Sequence, residues 1–502
     1  MAADVLACCS VFGSLWAMRR LFRDLPWWTS YLLAPFVLTS GVLGWSIWSG
    51  MELALFLGIW GGTAHLAIAA REATYADQLG RCRWGLALLG LLLVITRPEA
   101  LVCIVLFAAY ACLGPEDKDN ERWRPFVAWV APAVGFTVLR ALLNLVLTGS
   151  VADAGALVKL YPLRPFLDAR EVSLKWFANI GFQLSRISVY HTSDTAAWCW
   201  QLWLLLGLAL IPKRTRATVV LLILQALCWI VVVAQNEYVR YQNDRYTMPA
   251  LFFLLVAVAL GMGALVARIP ELVSARGSRL RLSTAMLGAG ASVSFLVHQL
   301  PRLDQQHWLF GRACRNIAEQ QIRVGQLFRA GQFGPTRRVL LGDAGAIPYF
   351  SGLAGTDAIG LGGTHGLPFA KAVNLGVGAT VELIERLSPD ERPDKMAIYP
   401  SWWDLLPLWF GRRIDEVRIH GNVICGAPDK AIYETEWRGL TEFSRPASLL
   451  PNVRIVDELD FADVVSESAH GYRLSSKHSG YVVMNILPDA ADPSRDLFDA
   501  GR

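Results

Sequence analysis

The sequence predicts an α-helical polytopic membrane domain over residues 1–299, followed by a small α/β domain over residues 300–502. Three observations carry this reading. Apolar runs of the length that crosses a bilayer, roughly 20 residues each, recur from the N-terminus to residue 299. The chain of 502 residues is 54% hydrophobic and only 18% charged, with 19 Trp, which is too apolar for an ordinary soluble protein. Beyond residue 300 the composition changes to that of a soluble domain.

Taken in order, the apolar runs fall near 2–18, 30–48, 52–70, 84–96, 99–114, 126–147, 196–212, 218–234, 247–267 and 283–299, about ten helices. The fourth and fifth are short and flank Arg97-Pro98-Glu99, so a bent helical hairpin is expected there. Alternate connections are rich in Lys and Arg: Arg19, Arg20 and Arg23, then Arg71, Arg81 and Arg83, then Lys213, Arg214 and Arg216. The positive-inside rule makes these cytoplasmic and puts everything after residue 299 on the outer face. The segment 148–195 is then also outside. Its stretch "LDAREVSLKWFANIGFQL", with Trp176 and Phe177, has helical periodicity and suits an interfacial helix, with packing against the outer domain as the alternative.

In the polar part, "RACRNIAEQQIRVGQLFRAG" predicts an amphipathic helix stopped by Gly331. "RRVLLGD", "DKMAIYP", "DEVRIHG" and "KAIYETEW" predict strands, and "GATVELIERLSP" a helix between them. Alternation of strands and helices is what predicts an α/β domain.

A net charge of +5, with the basic residues scattered through loops, excludes nucleic acid as a partner. The nine cysteines form no C-x-x-C pair and lie mostly in apolar runs, where they read as small buried hydrophobes. "GLGGTHG" (360–366) has the wrong glycine spacing for a nucleotide loop. No motif predicts a metal, and a divalent cation is left open. His191, His365 and His420 stand alone in the sequence and read as surface or hydrogen-bonded histidines.

Three seams between apolar runs carry charge instead: "SGMELAL", "TRPEAL" and "NDRYTMP". They place Glu52, Arg97, Glu99, Asp244 and Arg245 on one face of the membrane. Ionisable groups at such depth are costly and face a cavity or a partner; anchoring of helix ends at the interface is the competing reading. In "GDAGAIPYFSGLAGTDAIGLGG" (342–363), Asp343 and Asp357 either bind a sugar through carboxylate–hydroxyl hydrogen bonds or cap a turn.

"SGMELALF", "RPEAL", "DRYTMPALFFLL" and "GDAGAIPYFSGLAGTDAIGLGG", in this order, resemble the polytopic glycosyltransferases of the GT-C superfamily. The resemblance is to the branch related to terminal arabinofuranosyltransferases and other polyprenyl-phosphate-sugar transferases, and it spans about residues 30–365. It implies a multi-pass protein of the cell (inner or plasma) membrane with its C-terminal domain extracytoplasmic. Its partners would be a polyprenyl-phosphate-linked sugar donor, an envelope glycan or lipid acceptor, and membrane lipid. The chemistry needs an acid to deprotonate the acceptor hydroxyl and cations to hold the lipid phosphate. Arg97 and Arg245 are the expected phosphate ligands, and Glu52, Glu99, Asp244 and Asp343 are expected to orient them or the sugar. GT-C enzymes carry the catalytic acid in the first outer loop, which is missing here, as if the N-terminal part were lacking. Asp153 and Asp194 are the fallback acids. A catalytically incomplete homologue, acting as an envelope glycan-binding scaffold, is the alternative.

Overall fold

Helix follows helix through the first 329 residues of the computed structural model, which describes residues 2–72, 76–113, 123–193, 196–274, 279–362, 366–403, 405–437, 453–458 and 482–486. The chain forms two compact units. The first holds Met1–Asp153, Lys159–Tyr161 and Glu171–Cys314; the second takes Ala154–Val158, Pro162–Arg170 and Arg315–Arg502.

Among the described residues, six helices are long and apolar enough to cross a membrane: Ala3–Phe22, Leu53–Glu72, Arg124–Thr148, Lys213–Val233 and Met248–Val266 in the first unit, and Arg279–Arg329, which begins in the first unit and ends in the second. A seventh counts if Trp27–Leu38 and Gly41–Trp48, bent by 78°, are one broken span. This is fewer than the ten runs the hydropathy suggests, for local reasons. Pro98 separates two shorter apolar helices, Trp84–Thr96 and Pro98–Cys112. The run at 196–212 yields only Gln201–Ala209, about 13 Å of helix, because a 3-10 turn precedes it and Pro212 opens the next helix. The last run does not stop near 299. Its helix runs on through Pro301 to Asn316, and the continuous helical stretch reaches Arg329.

Met248–Val266 is the centre of this unit, buried along nearly its whole length, as an all-apolar helix must be. Around it the packing is close. Trp60 stacks on Phe253 with centroids 4.7 Å apart, and its indole N–H donates to Gln225 Oε1 at 2.8 Å. The helices Ala2–Met18 and Leu53–Glu72 lie side by side and run in the same direction. Gly58 meets Ser10, Gly61 meets Ser14, His65 Nδ1 lies 3.0 Å from the carbonyl of Ala17, and Arg20 reaches Glu72. A Cβ on Gly61 would stand 2.4 Å from Ser14 Oγ, so small residues on both helices permit the approach.

The amphipathic stretch forms Ala169–Ser185, and its polar face has a definite task. Trp176 donates to the carbonyl of Val231, Asn179 to those of Ala234 and Asn236, and Gln183 to that of Ile230. These carbonyls lie in the last turn of Lys213–Val233 and just beyond it, where the helix runs out of its own N–H donors. The helix therefore packs on a neighbour within the same unit, while Leu174 and Phe177 stay exposed.

The second unit contains a five-stranded sheet of β1 (Arg338–Leu341), β2 (Ala354–Asp357), β3 (Lys395–Ile398), β4 (Gly411–Arg418) and β5 (Asp429–Thr435). Its order is β2-β1-β3-β5-β4. The first three strands are parallel and the last two are antiparallel to their neighbours. Val339, Leu340, Leu341, Met396, Ala397 and Ile398 are fully buried, so the parallel strands are covered on both faces. The edge strand β4, by contrast, carries Arg412, Arg413, Asp415 and Glu416, charges that discourage pairing with another chain. A second ladder pairs β6 (Val453–Glu458) with β7 (Val482–Ile486).

Candidate functional site: a cationic cluster at the charged seams

The three seams meet in the first unit. Gly50, at φ 72°, turns the chain so that Glu52 stands at the start of Leu53–Glu72. Pro98 forces the residue before it out of helical geometry, and Arg97 accordingly has φ −146° and ψ 117°. That extended residue aims its guanidinium at Glu52 Oε1, donating from Nη2 at 2.7 Å and Nε at 3.1 Å. Arg97 is 3% exposed and lies over the rings of Trp229 and Tyr246. Burial pushes the Glu52 carboxyl up, but the adjacent Arg97, with Arg245 beyond it, more than offsets this and holds it below the usual carboxylate range.

Arg245 comes from the third seam. Its Nη2 donates to Tyr246 Oη at 2.9 Å, and its Nη1 touches Met51 Sδ. Lys159, from the long segment between helices, donates to the same phenolic oxygen at 3.2 Å. The indole N–H of Trp229 fixes the backbone by donating to the carbonyl of Tyr246 at 2.8 Å. Both lone pairs of the Tyr246 hydroxyl are thus engaged by cations, and its O–H is left to donate outward. Burial raises the Tyr246 pKa, but Arg245 and Lys159 outweigh it and bring it below its ordinary value.

The charge balance is the informative quantity. Glu52 neutralises Arg97, whereas Arg245 and Lys159 have no carboxylate in ion-pair range among the described residues. Two buried guanidinium nitrogens, Arg97 Nη1 and Arg245 Nε, have no hydrogen-bond partner. Buried charged donors without acceptors are costly, and an anion carrying several oxygens would relieve that cost. Glu99 sits half-exposed on the 3-10 turn Pro98–Ala100, in no ion pair among the described residues.

Asp244 faces elsewhere. It is 1% exposed and accepts from Arg186 Nε at 2.5 Å. His191 Nε2 lies 3.1 Å from the same oxygen, Oδ2, off hydrogen-bond angle. Gln242, Asn243 and Asp244 all have left-handed φ, of 53°, 56° and 55°. Such residues cost about 1–2 kcal/mol each, so the turn exists only because its surroundings hold it. Asp244 anchors it from one end, and Asn243 donates to Gln306 Oε1 at 2.6 Å from the middle. The role of Asp244 is thus orientation of the turn that presents Arg245. His191 stands alone in the sequence, and no local signal ties it to Asp244, 53 residues away.

His191 also makes the unit pH-sensitive. Burial, opposed by Asp244, pushes its pKa below 6.5, so the folded state keeps it neutral. The unfolded chain binds a proton below pH 6.5 that the folded chain resists, and stability present above that value falls as pH drops through it. Between pH 7 and 5 the thermal midpoint of the detergent-solubilised protein should fall more steeply for the parent than for His191→Gln.

Among the remaining sequence candidates, Asp153 is paired with Arg140. Asp194 and His365 lie outside the described residues. Asp343 belongs to the second unit, where its Oδ2 accepts from Gln321 at 2.8 Å and from the buried Lys430 at 3.3 Å. Asp357 accepts the backbone N–H groups of Ile359 and Gly362, so it caps a turn. No group of three or more His, Cys, Asp or Glu that could hold a metal occurs among the described residues.

Residues 315–462, most of the second unit's described part, match a family model described as a domain of unknown function (DUF8728). No curated protein and no solved structure matches the chain. The apolar helices are those of a multi-pass membrane protein in length and composition.

Proposed function

We propose that the chain is an integral membrane glycosyltransferase of the GT-C type, transferring a sugar from a polyprenyl-phosphate donor to an envelope glycan or lipid at the outer face of the cell membrane. The observation that carries this is the cationic cluster: Arg245 and Lys159 without carboxylates, and two buried guanidinium nitrogens without acceptors, at the end of apolar helices. In this reading Arg97 and Arg245 hold the donor phosphate and Tyr246 adds a hydroxyl donor. As the sugar leaves, the cluster stabilises the negative charge that returns to the phosphate. Glu52 keeps Arg97 in place. Glu99 is the seam carboxylate free to take the acceptor's proton, since Glu52 and Asp244 are both paired.

One observation favours the second reading, a non-catalytic envelope scaffold that binds lipid-linked sugar or glycan. Asp153, the fallback acid, is already paired with Arg140. The two readings part in one assay. Membranes carrying the full chain, incubated with radiolabelled polyprenyl-phosphate pentoses and hexoses, should transfer label to an envelope acceptor, and Glu99→Gln should abolish transfer while leaving donor binding intact. Donor binding without transfer by the parent would leave the scaffold; neither binding nor transfer would sink both.

A further inference from the structure

A second charged cluster, beside a recess, lies at the far end of Leu53–Glu72. Glu52 starts Leu53–Glu72 and Glu72 ends it, about 30 Å away at 1.5 Å per residue. Because Ala2–Met18 runs parallel to this helix, the two C-terminal ends come together. Beside them opens a cavity of about 410 Å³ lined by Trp16, Arg19, Arg20, Arg23, Trp27 and His65, among others.

Three arginines contribute to this cavity and one carboxylate answers them. Glu72 Oε2 accepts from Arg20 and from Arg23, each at 2.9 Å. The nearby Asp24 is engaged by Arg214 at 3.4 Å. Arg19 has no ion pair among the described residues, and Arg20 Nε is buried without an acceptor. The recess is therefore short of negative charge. Its walls are aromatic and open: Trp16 is 70% exposed and Trp27 71%. Tyr31 packs edge-on to Trp27 with centroids 5.7 Å apart. Indoles prefer the boundary between hydrocarbon and head groups, where one edge is apolar and the N–H is wet.

We propose that this recess binds the phosphate of an anionic phospholipid head group, whose acyl chains lie along the outer surfaces of Ala2–Met18 and Leu53–Glu72. A soluble phosphate would meet the arginines equally well, but it would leave Trp16, Trp27 and Tyr31 bare to water. A lipid satisfies both the charge and the apolar wall. The inference rests on the membrane-spanning reading of these helices and is independent of sugar transfer.

The test uses the full chain. Carbonate extraction first establishes that it is integral; a chain released by carbonate overturns the inference together with the membrane reading. The integral protein, purified in mild detergent, is then exposed to equimolar phosphatidylglycerol and phosphatidylcholine, and retained lipid is measured by native mass spectrometry. The expected result is preferential retention of phosphatidylglycerol, cut about tenfold in R19Q/R23Q. R19Q alone, which leaves both bonds to Glu72 in place, should give a smaller cut in the same direction. Equal retention of the two lipids, unchanged preference in both variants, or displacement of the lipid by equimolar inorganic phosphate would each overturn it.

Discussion

Arg245→Ala should lower donor-dependent sugar transfer by about thirty- to a hundredfold while the thermal midpoint stays close to that of the parent. The size follows from losing charge-assisted hydrogen bonds to a phosphate, worth roughly 2–3 kcal/mol. The small effect on folding follows from what Arg245 touches: one phenol and one thioether, with no carboxylate in ion-pair range among the described residues. Arg245→Lys should recover only part of the loss, because an ammonium keeps the charge but not the planar fork. Wild-type donor use by the alanine variant would remove this side chain from the phosphate site.

Arg97→Ala should behave differently, with a destabilisation of about 3 kcal/mol that precedes any kinetic effect. Its guanidinium is almost completely enclosed, lies over Trp229 and Tyr246, and is the ion-pair partner of Glu52. Deleting it opens a void beside Trp229 and Tyr246 and leaves the half-exposed Glu52 without its partner. Glu52→Gln combined with Arg97→Met removes both charges and keeps the volume, so it should cost less than Arg97→Met alone, a reversal expected of a coupled pair. The pair also sets an acid limit. The Glu52 pKa is held below 4.5, so its contribution is present above that pH and is lost as pH falls through the lowered value. Equal destabilisation by the single and double variants in chemical-denaturant titration would count against the pairing.

The seams were legible because a carboxylate or guanidinium between two apolar runs has few reasons to be there. Glu52, Arg97 and Arg245 could be singled out from sequence on that ground, and they converge. What could not be read was who else joins them. Lys159 comes from a long connecting segment with no motif, Trp229 looks like any core aromatic in "ALCWIVVV", and Arg186 and His191 belong to a turn of helix beyond an amphipathic stretch. Each is recruited by tertiary packing, which leaves no periodic trace.

Helix ends were also misjudged where composition and backbone disagree. The sequence turns polar near residue 300, yet the helical stretch continues to Arg329, since Pro301 costs it one hydrogen bond and no stop signal follows until Gly331. In the second unit, β1, β3, β4 and β5 are legible as short apolar or alternating stretches, whereas β2 (Ala354–Asp357), set in a Gly-rich stretch, and β6 and β7 are not. The pairing order was not, because β3 sits between β1 and β5 only once the whole sheet is assembled.

Leu53–Glu72 is pinned at both tips, by Arg97 at one and by Arg20 and Arg23 at the other. A rod clamped this way cannot slide like a piston, because any axial shift would break an ion pair at one tip. Where the surrounding bilayer is thicker or thinner than the rod, the lipid must stretch or thin, or the protein must tilt as a body.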